Sequence, residues 1–196
     1  MLHATTGALK YCGALGSCAA IALCTLYVTR PTAQGRPQAD TVANARNASP
    51  IYGVTIPEGY RDWHLISIKQ LTGAGSKLRQ LRAQLGNDIA TKAFLDGKLP
   101  FPDGTIIAAI HWTRVPSEVN NQVLAGPFPG AQSFVVGSPE NIQFMVKDSK
   151  KYAATGGWGF ADFKGGKPGE KALHETCFPC HMPAKDRDYV FTRYAP

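Results

Sequence analysis

The chain has 196 residues, 44% of them hydrophobic, enough for one domain with a real core. Its net charge of +7 comes from short groups, Lys147, Lys150, Lys151 and Lys164, Lys167, Lys171, interrupted by Asp and Glu, which reads as a solvated surface. There is no basic stripe carrying a recognition motif or stacking aromatics, so no nucleic acid is expected as a partner; an acidic redox protein is compatible with the charge.

From Tyr11 to Val28 the run "YCGALGSCAAIALCTLYV" carries no charge and follows Lys10, which predicts an export signal or an uncleaved membrane anchor over residues 1–30. Its 18 residues exceed a usual signal core and reach the range of a spanning helix, so the anchor is preferred. Cys12, Cys18 and Cys24 lie inside it and behave as small apolar residues. Residues 31–50, rich in Pro, Ala and Asn, read as a flexible linker, and residues 51–196 as the folded domain.

In that domain "IPEGYRDWHLISIKQLT" predicts a turn and then a strand, with His64, Ile66 and Ile68 opposite Trp63, Leu65 and Ser67. The next segment has two readings: Leu78, Leu81, Leu85 and Ile89 suit a helical stripe, and Leu81, Ala83 and Leu85 a strand ending at Gly86. "NDIATKAFLDG" predicts a helix with Asn87 as N-cap and Gly97 as stop. "LPFPDGT" is a turn feeding a long apolar strand from about Thr105 to Val115. "SFVVG", "NIQFMVKD" and "WGFADF" supply three more strand-sized runs, punctuated by "GPFPG", "GSPE" and "ATGG". Short strands, one or two helices and no βαβ alternation predict an α+β fold built mainly on antiparallel β-sheet.

Only two cysteines remain, in Cys177-Phe178-Pro179-Cys180-His181. This is the c-type haem attachment pattern: two thiols three positions apart form thioethers to the porphyrin vinyl groups, and the adjacent imidazole ligates the iron. One covalent haem c is therefore expected, with His181 as metal ligand. A redox Cys-x-x-Cys would need a βαβ setting that the pattern lacks, and a zinc site would need ligands beyond His174 and His181. Such haem is attached outside the cytoplasm, which predicts a periplasmic domain, anchored to the inner membrane if residues 11–28 are retained.

"IPEGYRDW", "LPFPDGT", "FMVKDSKKYAATGGWGF", "TCFPCH" and "AKDRDYVFTRYAP" follow one another in an order and spacing that resembles the cytochrome P460 family, which includes the cytochromes c′-beta. The resemblance covers residues 50–196 and implies an antiparallel sheet with a few helices, often dimeric, enclosing one haem with an open or weakly occupied distal side. Members with the P460 chromophore bond a lysine to the haem ring and oxidise hydroxylamine. The matching position here is Ala109, and no lysine occurs from Leu99 through Val146, so the chain is more similar to the c′-beta members, which bind small gaseous ligands.

On the same strand Thr105, Ile107, Ala109, His111 and Thr113 share a face. If Ala109 faces the haem, so does His111, a candidate to bond a bound diatomic, to exchange protons with peroxide or to ligate the iron; the plainer reading is a histidine partnered at the sheet edge. Met145 is a candidate axial sulfur, although it alternates with Gln143 and Lys147. Phe128, Phe134 and Phe144 are candidates for an apolar distal wall or for plain core. Arg193, in "VFTR", is a candidate partner for a haem propionate. Met182 is too close to His181 to reach the other side of the ring, and His64 and His174 read as surface or supporting groups. The preferred function is binding of NO, CO or another small nitrogenous ligand. The alternatives are electron transfer by a six-coordinate haem tethered near a redox partner, or oxidation chemistry on hydroxylamine, NO or peroxide.

Overall fold

The computed structural model describes residues 47–73 and 79–195; the expected anchor at 11–28 and most of the linker lie outside the described residues. Six strands form one antiparallel sheet in simple meander order: β1 (His64–Leu71), β2 (Gln80–Gly86), β3 (Ile106–Pro116), β4 (Phe134–Lys147), β5 (Trp158–Lys164) and β6 (Lys167–Pro168). Helices α1 (Asp88–Leu95) and α2 (Glu118–Leu124) flank β3 in sequence, and α3 (Lys171–Glu175) and α4 (Cys177–His181) follow β6. The predicted α+β class holds. No helix among the described residues is long and apolar enough to cross a membrane.

The ambiguous segment before Gly86 is a strand. β2 finds ladder partners on both sides, β1 and β3, and that pairing outweighs the helical spacing of its leucines. Its Gln80 and Gln84 are buried, so β2 carries polar residues inward on one face and Leu85 on the other. In β1 the predicted alternation breaks: Ile66 is fully buried but Ile68 is 68% exposed, because a bulge between Leu65 and Ser67 shifts the register.

Helix α1 forms as its caps predict. Asn87 Oδ1 accepts from Ala90 N at 3.0 Å and from Ile106 N at 3.1 Å, and Asn87 Nδ2 donates to Gly104 O, so one side chain caps the helix and pins the start of β3. Helix α2 was not expected; its signal is Ser117, which accepts from Asn120 N. "SFVVG" and "NIQFMVKD" are not separate strands but the two ends of β4. The "GSPE" between them is absorbed as an irregularity, where Pro139 lies opposite Trp112 and the register against β3 shifts on both sides of that pair. A proline with no N–H to give is tolerated at such a bulge.

Trp158, Phe144, Phe163 and Ile66 are the largest fully buried apolar side chains. Phe144 meets Tyr60 and Phe163 edge-on at 5.3 and 6.0 Å, and Trp158 meets Phe101 at 5.8 Å. Each such burial contributes about 1.5–3 kcal/mol relative to exposure.

Lys147 is not part of a solvated surface. It is 6% exposed and places Nζ 2.8 Å from both carboxylate oxygens of Asp188, 3.0 Å from Gly156 O and over the Trp158 ring. Asp188 Oδ2 also accepts from Phe101 N at 2.9 Å. The pair ties the end of β4 to the segment after α4, where Asp188 and Tyr189 both adopt left-handed backbone (φ 53° and 65°). At Gly156 (φ 65°) a Cβ would collide with the Tyr189 ring, so that glycine is required for the close approach.

Candidate functional site

Helix α4 and the sheet border a cavity of about 250 Å³, partly open to solvent. That is just below the range of about 300–1,000 Å³ usual for cofactor and ligand sites, and the open side adjoins it. One wall is α4 and its neighbours. His181 packs against the Phe160 and Phe191 rings at 5.0 and 5.1 Å, and its Nδ1 lies 2.7 Å from Tyr189 O. A carbonyl only accepts, so Nδ1 carries the proton and Nε2 keeps its lone pair. Burial lowers the His181 pKa, which favours that neutral, ligating form.

Cys177 and Cys180 border the same cavity and are both free thiols. Burial, reinforced by Asp162 and Cys180, pushes the Cys177 pKa up to about 11. A thiol so hard to ionise is a poor redox nucleophile, which weighs against the Cys-x-x-Cys alternative. The zinc alternative has no support either. His174 is fully buried and turned to other partners, Nε2 accepting from Asp162 N at 3.2 Å and Nδ1 donating to Glu170 O at 2.9 Å. No group of three or more His, Cys, Asp or Glu among the described residues is placed to hold a metal.

The opposite wall is the sheet, and its register explains what it presents. Gln84, Ala109, Gln143 and Asp162 form one row across β2 to β5; Ile107, Met145 and Phe160 form the next; Lys69, Arg82 and His111 form the row on the other side. All of them line the cavity. Ala109 and His111 thus face it together, as the period-two reading requires, and Met145 faces it too. His111 stands in a central strand, not at an edge, and is 2% exposed.

The apolar aromatic wall expected from the sequence needs correction, since Gln84, His111, Gln143 and Asp162 make this wall polar. Phe144 reaches the cavity, but Phe128 is 62% exposed and Phe134 lies under the Arg114 guanidinium at 4.2 Å. Arg193 is exposed and borders a second cavity with Phe101 and Val190. The cations at the main cavity are Lys69 and Arg82 instead. His64 is exposed beside Asp88, and Met182 is exposed.

The sequence pattern that defines the cytochrome P460 family matches residues 57–192 of this chain. The chain belongs to the cytochrome P460 family. No curated protein matches it. Membership implies a haem cofactor, and this P460 member's cavity has the chemistry to take one. The α4 wall offers two thiols and a free imidazole Nε2. Lys69 and Arg82 suit a carboxylate-bearing edge: burial and the neighbouring Arg82 lower the Lys69 pKa, so an anion placed there would relieve both cations. On the sheet side Gln84 Oε1 and His111 Nε2 are buried without a hydrogen-bond partner, as expected of groups that face an occupant.

Sequence reasoning missed Lys69, Arg82, Gln84, Asn141, Gln143 and Asp162. The available signal was polarity out of place: Asp162 interrupts the apolar "WGFADF", and Gln143 sits within "NIQFMV".

Proposed function

We propose that this chain is an exported c-type cytochrome whose single haem is attached through Cys177 and Cys180, with His181 Nε2 on the iron and a polar site on the sheet side for a small ligand such as NO or CO. The observation that carries the reading is His181 itself: its Nδ1–H is taken by Tyr189 O, so its free nitrogen is available in the cavity that also exposes both thiols. A ring nitrogen held in this way is typical of a ligating histidine, because the second bond fixes both tautomer and orientation. A bound haem would supply a ligand-binding iron; this chain would supply the cradle, the His181 nitrogen and the polar groups of the sheet wall.

Ala109 in place of the family's cross-linking lysine leaves room over the ring and removes the main support for hydroxylamine oxidation. Electron transfer is the second class, favoured if Met145 or His111, both at the cavity, completes the coordination. Residues 11–28 would place the domain at the periplasmic face of the inner membrane, within reach of a redox partner, and a homodimer fits the family habit.

The test is the absorption spectrum of the haem-loaded protein, ferric and ferrous, with and without CO. A five-coordinate ferrous spectrum that changes on CO addition is expected. A low-spin spectrum indifferent to CO would replace ligand binding by electron transfer.

A further inference from the structure

The β3–β4 register, which pairs Ala109 with Gln143 and Ile110 with Ile142, sets Asn141 beside His111, with His111 Nδ1 2.9 Å from Asn141 Oδ1. Asn141 Nδ2 in turn donates to Asp162 Oδ2, which also receives Gln143 Nε2 at 3.0 Å. Asp162 is itself placed by its backbone N–H on the buried His174.

The donor sense of this chain is forced from one end. A carboxylate only accepts, so Asn141 must turn its NH₂ toward Asp162 and its carbonyl toward His111. That carbonyl also only accepts, so His111 must spend its ring proton on Nδ1. Nε2 is then left with a lone pair, and it is this atom that is buried without a partner in a ring that lines the cavity. Protonating the ring is disfavoured by burial and by the adjacent Arg82 and Lys69, against the pull of Asn141 and Asp162, and the His111 pKa is lowered to about 4. Gln84 Oε1 is a second unpartnered acceptor on the same wall.

We infer that Asp162, acting through Asn141, locks His111 as a hydrogen-bond acceptor, so that the cavity favours a small ligand bearing an N–H or O–H over a bare diatomic. The inference rests on the reading that the haem occupies this cavity. His111 does not stabilise CO or NO by donation; its lone pair opposes their outer atom. A ligand carrying a proton instead supplies the bond that Nε2 lacks. Asp162 and Asn141 are positioning residues in this scheme, the role a buried carboxylate plays in fixing the tautomer of a catalytic histidine.

The test uses the haem-loaded full chain in its diamagnetic ferrous, CO-saturated form. With ¹⁵N-labelled histidine, NMR is expected to show His111 protonated on Nδ1 and bare on Nε2; a proton on Nε2 overturns the inference. In D162N the substituted amide can donate to Asn141, and a protonated Nε2 is expected to appear. A D162N tautomer unchanged from the wild type would remove Asp162 from the scheme.

The infrared C–O stretch supplies an independent readout. A lone pair near the CO oxygen raises it, so H111L should lower it, and a rise or no change contradicts the assignment. For hydrazine, an N–H-bearing probe, H111L should lose about tenfold in affinity, the worth of roughly one hydrogen bond, without loss of CO affinity. Equal losses for both probes would sink the proposed selectivity. A protein that takes up no CO would contradict the ligand-binding function instead. Its low-spin ferrous form is also diamagnetic, and the same NMR assignment decides the tautomer there.

Discussion

The two walls of the cavity are built in opposite ways. The α4 wall is local: Cys177, Cys180 and His181 lie within five consecutive residues, and the carbonyl that orients His181 comes from Tyr189, eight positions on. The sheet wall is assembled from strands far apart in sequence, with His111, Asn141 and Asp162 brought together by β3, β4 and β5. Under the proposed function the local wall holds the cofactor, and the non-local wall decides what that cofactor meets. Changes on the first should therefore act all or none, and changes on the second by degrees.

The largest effect is expected from the double substitution C177A/C180A. It should abolish covalent haem, read as loss of haem staining after denaturing electrophoresis, while a sheet built without these residues still gives a β-type circular dichroism spectrum. Covalent haem persisting in the variant would remove the thiols from their assigned role.

The two walls are joined by the Lys147–Asp188 pair, and K147A sharpens the comparison by loosening that joint. An unpaired buried carboxylate should cost about 3–5 kcal/mol in urea unfolding. A loss below about 1 kcal/mol would mean that water or a neighbouring group satisfies Asp188.

Next comes the pH dependence of the sheet wall. The folded His111 pKa of about 4 lies below the unfolded value of 6.5, so in acid the unfolded chain takes up a proton that the folded one refuses. Its contribution is complete above the unfolded value and is lost as the pH falls toward about 4, totalling about 3 kcal/mol over the shift. H111Q should flatten the stability profile by that amount in this window, and parallel wild-type and H111Q profiles would contradict the buried neutral ring. The smallest effect is R193A, which should change stability by less than about 0.5 kcal/mol and leave the haem spectrum as it is. A displaced haem spectrum would restore Arg193 to the propionate role.

The same contrast explains what could be read from the sequence. The spacing of "CFPCH" is enough to group Cys177, Cys180 and His181, which do border one cavity, and period two alone puts Ala109 and His111 on one face. The Asn87-capped helix was equally legible, because a cap and its helix are neighbours in the chain. Asn141 was not: it reaches His111 only through the pairing of β3 with β4, and strand register is a long-range property. Lys147 looked like one of several surface lysines because its partner Asp188 lies 41 residues away. Lys69 and Arg82 were missed for the same reason, since the pairing of β1 with β2 and of β2 with β3 had to be known before those cations could be placed at the cavity.

The most direct test of the central claim is a crystal structure of the haem-loaded chain. The account predicts the porphyrin between α4 and the sheet, joined to Cys177 and Cys180, with His181 Nε2 on the iron and the Gln84–Ala109–Gln143–Asp162 row facing the other side. A haem outside this cavity, or an iron whose protein ligand is not His181, would contradict it.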